Sequence, residues 1–272
     1  MTESDAIRNF PVPNTRETIA AELRELGLNA GQVVIVHSSL SSLGWVNGGS
    51  VAVVQALMDV ITSAGTMVMP THTGDLSDPA LWENPPVPEA WWDVIRDTMP
   101  AFDTAITPTR GMGRIAETFR TWPSVRRSSH PQVSFAAWGQ YAEFITAHHG
   151  IDDALGEQSP LGRIYDQDGL VLLLGVGYAN NTSFHLGEYR AAGGRRIAQG
   201  APMIENGVRV WKVINDIDWK ADDFEALGAD FESAHAVKIG TVGAATARLF
   251  AQRAAVDFAA RWIEKKRSGG PV

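Results

Sequence analysis

His185 and Glu188 stand three residues apart in the run NNTSFHLGEYR. On a helix that spacing places both on one face. A carboxylate so placed orients an imidazole and favours its protonated form. This raises its basicity and suits it to take a proton from a substrate. The same spacing also fits an ordinary first-turn histidine, with Glu188 a favourable charge near the positive end of the helix dipole. Spacing alone leaves both readings open.

Other groups bear on the same chemistry. His37 is followed by Ser38 and Ser39. Their hydroxyls and backbone N–H groups, at a strand-to-loop turn, can bind phosphate or polarise a carbonyl. Thr71, His72 and Thr73 close a second apolar run. In TPTRGMGRIAE, Arg110 precedes Gly111, Met112 and Gly113 and then a helical pattern. A cation, close backbone approach and a helix N-terminus together accept an anion such as a pyrophosphate. Gly113 is followed by Arg-Ile, so this is not a Walker loop, and the dinucleotide fingerprint is absent. A plain glycine-rich start to a helix is the competing reading. VINDIDWKADDF gathers Asp216, Asp218, Asp222 and Asp223, while Asp75 and Asp78 follow the second apolar run. Such carboxylates bind a metal or a polyamine, or merely face water. His148, His149 and His235 have no supporting context and are expected at the surface.

The elements that must position these groups follow from periodicity. QVVIVHSSL, TMVMPTHT and GLVLLLGVG are short β-branched and leucine-rich runs, read as buried strands. Between the first two lies VAVVQALMDVITSAG, a helix with Ser50 as its expected cap. Strand–helix–strand order predicts parallel pairing, and ligands then gather beyond the carboxyl ends of the strands. His37, His72 and His185 all fall there. NTRETIAAELRELGL predicts a helix capped by Asn14, with Glu17 reaching back and Gly27 ending it. Thr182 or Ser183 is the expected cap of the helix carrying His185. Asn206-Gly207 predicts a hairpin. SSHPQVSFAAWG reads as a short strand, and TVGAATARLFAQRAAVDFAARWIEKK reads as one long terminal helix. The fold expected is α/β: a central, mostly parallel mixed sheet flanked by helices. It forms one domain over residues 1–272, with a Pro- and Trp-rich insert around 75–105.

Composition narrows the function classes. The chain has 272 residues, 44% hydrophobic, enough for a substantial core. With no cysteine, neither a disulfide framework nor a thiolate nucleophile or metal site is available. A net charge of −8 disfavours a nucleic-acid partner and suits a cationic ligand. The start, MTESDAIRNFPVP, has no basic segment followed by an apolar run, and no apolar run is long enough to span a bilayer. A soluble cytoplasmic protein without membrane association is expected.

Five segments, in order, carry a family resemblance: VVIVHSSLSSLGWVNGG, GTMVMPTHTGD, TPTRGMGRIAETFRTWPSVRRSSHPQVSFAAWG, SPLGRIYDQDGLVLLLGVGYANNTSFHLGEYRA and VINDIDW. Together they resemble the aminoglycoside 3-N-acetyltransferases, which have their own antibiotic N-acetyltransferase fold, distinct from the larger GCN5-related one. The resemblance implies acetyl transfer from acetyl-CoA to the 3-amino group of a 2-deoxystreptamine aminoglycoside, hence antibiotic resistance, with no metal. It implies His185 as the catalytic base, Glu188 as its support, and His37 beside them at the thioester end of the coenzyme tunnel. Ser38, Ser39 and Leu40 would also lie toward coenzyme A, as would Thr71, Thr107 and the segment Arg110, Gly111, Met112 and Gly113. Ser38, Ser39 or Thr71 would donate to the developing oxyanion. Asp75, Asp216 and Asp218 would hold the cationic drug. Gly187 stands where the family pattern leads one to expect Ala, which loosens the helix slightly.

Two readings of other classes stand beside this one. His37, His72, His185 and the aspartates would serve a metal-dependent hydrolase if they converged on one ion. A non-catalytic protein would use the acidic residues only to sequester cationic drugs.

Overall fold

The computed structural model describes residues 7–8 and 12–269. The N-terminal stretch read for a leader therefore lies largely outside the described residues.

Helix α1 (Arg16–Leu26) buries Ile19, Ala20, Leu23 and Leu26 along one stripe and stops at Gly27, which takes the left-handed conformation at φ 104°. Its cap is Thr15, paired reciprocally with Thr18 in a capping box, and not Asn14. The Asn14 amide instead donates to the Leu43 carbonyl at 2.8 Å, tying the helix start to the loop beyond strand β1 (Val33–Ser38). Helix α2 (Gly49–Ile61) is capped by Gly48. Ser50, the expected cap, lies inside the first turn, and its hydroxyl meets that of Thr118 at 2.8 Å. Strand β2 (Thr66–Pro70) follows, fully buried.

The 75–105 insert holds little regular structure beyond α3 (Trp92–Thr98), pinned by Arg96 on Asp78 at 2.8 Å. Next come α4 (Gly113–Arg120), the two-residue β3 (Arg126–Arg127), β4 (Phe135–Gly139), α5 (Ala142–Thr146), α6 (Pro160–Asp166) and β5 (Leu170–Leu174). The helix carrying His185 is α7 (Ser183–Arg190). A separate hairpin of β6 (Arg196–Glu205) and β7 (Val208–Ile217) turns through Asn206 and Gly207, both at positive φ, as the sequence pair predicts. Helix α8 (Phe224–Ala234) leads to β8 (Lys238–Val242), β9 (Ala245–Ala251) and α9 (Gln252–Arg267).

The seven-stranded sheet runs β3-β4-β2-β1-β5-β9-β8. It is the mixed α/β sheet expected, but parallel pairing is confined to its centre: β1 pairs in parallel with β2 and with β5, and the remaining pairs are antiparallel. The terminal helix is also shorter than the sequence pattern suggests. Residues 238–251 form the hairpin β8–β9, turned at Gly243 with φ 57°, and β9 pairs with β5 from Leu170↔Ala251 to Leu174↔Ala247. Alanine-rich β9 mimics a helix by composition, yet Ala245, Ala247 and Leu249 alternate inward with period two.

Period-two alternation splits the core between the two faces of the sheet. Val34 and Val36 join α1, α2 and α4 on one side; Val33 and Ile35 join α5 to α9 on the other. Each such buried side chain contributes about 1.5–3 kcal/mol before entropy is counted. Among the described residues no helix is long and apolar enough to cross a membrane.

Candidate active site

Because β1 is flanked in parallel by β2 on one side and β5 on the other, the chain direction leaving the sheet diverges at its carboxyl end. Such switch points open a crevice. A cleft of about 1120 Å³ lies there, and His37 and Ser38 at the end of β1, Ser39 and Leu40 just after it, His72 after β2 and His185 beyond β5 all line it. The three strand ends singled out in the sequence thus share one site.

His185 sits in the first turn of α7. Thr182 holds the N-cap position, as expected, but its side chain makes no cap bond; the Asn181 Oδ1 instead accepts from the Ser183 N–H at 3.2 Å. The His185 Nδ1 lies 3.0 Å from the Glu188 Oε2. A carboxylate there requires the proton on Nδ1, leaving the Nε2 lone pair as the basic site. The imidazole is 14% exposed and Glu188 only 4%. Phe224 packs on the ring at 4.7 Å between centroids, with Trp219 at 6.3 Å. The Glu188 Oε1 in turn accepts from the Lys220 amide and from Arg267, each at 3.3 Å.

His37 and His72 differ in kind from His185. Burial pushes both down to about 3, and for His72 repulsion from neighbouring histidines, His185 foremost, and from Arg127 adds to the effect. Their Nε2 atoms are buried and unpartnered, as is the Asn181 Nδ2. Half of the six such side-chain atoms among the described residues thus belong to cleft-lining residues, which marks a site built for a ligand.

Buried neutral histidines also set an acid-stability signature. Burial holds His37 at about 3 and His130 at about 4, and His149 is likewise well below its ordinary value. The unfolded chain protonates these rings near 6.5, so it binds more protons than the native state below that pH. Stability contributed by their neutrality is present above 6.5 and is lost as pH falls toward the native values, by up to about 1.4 kcal/mol per unit for each ring. Urea unfolding at pH 7 and pH 5 is expected to show a marked drop at pH 5; equal stability at both would contradict it. His149, expected at the surface, is buried because its Nδ1 and Nε2 meet the Ser128 hydroxyl and the Ala154 carbonyl.

The remaining candidates divide. Gly111, Met112 and Gly113 line the cleft, but Arg110 and Thr107 do not. Arg114, which the sequence reading passed over, does line it, at the start of α4. Thr71 is fully buried, and Arg127 donates from Nη2 to its carbonyl at 2.7 Å and from Nε to its hydroxyl at 3.2 Å. It supports the loop and does not face the cleft. Asp216 is 1% exposed and accepts from the Ala154 and Ile217 amides and the Tyr189 hydroxyl; burial raises its carboxyl above the usual range. Asp218 pairs with Arg195 at 3.0 Å and lines a second cavity behind Glu188. Asp75 is exposed in the loop after β2. Among the described residues no carboxylate lines the large cleft itself. Among the described residues no group of three or more His, Asp or Glu side chains is placed to hold a metal ion.

The family model described as aminoglycoside 3-N-acetyltransferase matches residues 35–264. The chain belongs to the aminoglycoside 3-N-acetyltransferase family. It is 51% identical over 258 residues to the SPbeta prophage-derived aminoglycoside N(3')-acetyltransferase-like protein YokD of Bacillus subtilis, covering 94% of this chain and 95% of that one. The crystal structure of YokD superposes with a TM-score of 0.97, covering 98% of this chain and 100% of that one at 48% identity. Aminoglycoside N(3)-acetyltransferase VII of Streptomyces paromomycinus is 35% identical, covering 100% and 99%. The structure of AAC-IIIb in binary complex with CoASH gives a TM-score of 0.83 at 30% identity, covering 94% of this chain and 98% of that one.

One departure noted in this acetyltransferase-family chain has a packing cause. A Cβ at Gly187 would lie 2.6 Å from the Ala259 Cβ and 2.8 Å from the Val256 carbonyl oxygen. The glycine lets α9 approach the helix that carries His185. Gly187→Ala is expected to destabilise by about 1–3 kcal/mol despite its better helix propensity. A higher melting temperature in that variant would show that the two helices separate without cost.

Proposed function

We propose that the protein transfers the acetyl group of acetyl-CoA to the 3-amino group of a 2-deoxystreptamine aminoglycoside, with His185 as general base. The observation that carries this reading is His185 on the wall of the switch-point cleft, with its Nδ1 committed to the Glu188 carboxylate behind it. Family membership supports the acetyl donor and the class of acceptor.

The cleft suits coenzyme A on its own terms. Gly111 has nothing within 4 Å of where a Cβ would stand, leaving backbone open to close approach. Arg114 offers a cation on the same wall. Acetyl-CoA, when bound, supplies an acyl thioester open to attack by an amine.

The amine of an aminoglycoside is mostly protonated at neutral pH and cannot attack until it loses that proton. The His185 Nε2 takes it, and Glu188 steadies the resulting imidazolium. As the new C–N bond forms, the C–S bond breaks; the leaving thiolate takes the proton held on His185 and departs as free thiol, and the acetylated nitrogen sheds its remaining extra proton to water. Ser38 and Ser39, both on the cleft wall, are the donors for the charge that develops on the carbonyl oxygen. His37 stays neutral beside them and shapes the reaction end of the cleft. Asp75, exposed on the loop after His72, offers a carboxylate to the cationic acceptor, since the described lining of the cleft carries none.

The test is free-thiol release from acetyl-CoA with a panel of aminoglycosides, paired with growth of a susceptible bacterium expressing the protein. Turnover with raised drug tolerance supports the proposal. Drug binding without thiol release would instead favour a sequestering protein.

A further inference from the structure

Glu188 is held from two sides. Its Oε2 faces His185, and its Oε1 faces the second cavity, of about 470 Å³, where Arg267 reaches it from the last turn of α9. The guanidinium of Arg267 is forked. Nη2 lies 3.3 Å from the Glu188 Oε1, while Nη1 donates to the Ala191 and Ala192 carbonyls at 3.1 and 3.2 Å, just past the C-terminal end of α7. One side chain, seventy-nine residues further along the chain, therefore grips both the carboxylate of the dyad and the helix that presents it.

We propose that Arg267 is a positioning residue for the reaction: its cation keeps Glu188 ionised and aimed at the His185 Nδ1. This rests on His185 acting as the base. A carboxylate 4% exposed is costly to keep charged without a partner, and a neutral histidine supplies no charge to balance it. Arg267 does so through the whole cycle, before and after the imidazole takes its proton. Being cationic, it also opposes early protonation of the dyad.

The charges around the pair are few. Across the large cleft stand His37, His72 and Arg114; around the second cavity stand Arg195, Asp218, Lys220, Asp223 and Lys266. Arg195 is paired with Asp218 at 3.0 Å, and Lys266 with Asp223 at 2.5 Å. Arg267 pairs with the dyad carboxylate itself, at 3.3 Å. Removing it favours proton uptake by the His185–Glu188 pair, so the acid limb of activity moves to higher pH.

The experiment compares the full-length wild type with Arg267→Met, which keeps stem length and loses the charge, and Arg267→Lys, which keeps the charge and loses the fork. kcat/KM is measured from acid to alkaline pH, alongside the NMR titration of the His185 ring, which needs no turnover. For Arg267→Met a deficit of about tenfold at the acid end is expected, shrinking toward alkaline pH, with the ring titration displaced upward. Arg267→Lys should keep the acid limb near that of the wild type. A pH-independent deficit in Arg267→Met with an unmoved ring titration would reduce Arg267 to a helix-end clamp and overturn the proposal; so would a variant with wild-type activity at every pH. Inactivity of the wild type, or full activity of His185→Ala, would instead remove the reading on which the proposal rests. The ring titration still judges Arg267 in that case.

Discussion

Replacing His185 by alanine is expected to lower kcat for acetyl transfer by roughly 10²–10⁴-fold while leaving drug and coenzyme binding close to wild type. The size follows from what the imidazole does. In the proposed reaction it is the base, with its partner carboxylate already in place at 3.0 Å, and an ammonium acceptor is inert until something takes its proton. Neither neighbouring histidine can replace it: burial holds His37 and His72 at about 3, so neither is a useful proton acceptor near neutral pH. Because the substituted side chain is 14% exposed and lies in a first turn, the fold should survive. The check is kcat by thiol release together with calorimetric binding of the drug. Unchanged kcat would move the base elsewhere.

Gly228→Ala is expected to cost about 3 kcal/mol of stability, the upper end for overpacking. Its Cβ would fall 2.0 Å from the Tyr178 Cγ and 2.2 Å from the Tyr178 Cβ, atoms that cannot swing aside without moving the backbone. Tyr178 is locked in turn: its ring stacks on Phe184 at 6.1 Å and its hydroxyl donates to Glu232 at 2.9 Å. The turn it opens runs into Asn181, whose Oδ1 accepts from the first N–H of the His185 helix. The strain therefore reaches the site, and the soluble fraction of the variant should also be less active. Urea unfolding measures the first effect, and stability equal to wild type would mean that α8 shifts freely on Tyr178.

How far these features are legible in sequence depends on whether their cause is local. The apolar runs ending at His37 and Thr71, and the run before Asn181, read directly as strands, and their convergence follows from parallel pairing at the sheet centre. The His185–Glu188 contact is an i,i+3 relation and needs no tertiary knowledge. The Asn206-Gly207 turn is equally local. Asp216 is the opposite case. In sequence it resembles its neighbours Asp218, Asp222 and Asp223, yet its partners Ala154 and Tyr189 come from distant segments and draw it into the interior. Arg110 and Arg114 flank the same glycines, and only the geometry of the loop before α4 decides which one borders the cleft. Arg267 carries no motif at all; its relation to Glu188 exists only because α9 packs on α7 at Gly187. In β9 the alternation was present, but alanine content concealed it beneath a helical composition.

The most direct measurement is the structure of the product. Purified protein is incubated with acetyl-CoA and a 2-deoxystreptamine aminoglycoside, and the recovered drug is analysed by mass spectrometry and NMR. The account predicts one added acetyl group on the 3-amino nitrogen, formed in step with free thiol and, in His185→Ala, only at the strongly reduced rate stated above. A drug recovered unmodified across the panel, or an acetyl group on another nitrogen, would contradict it.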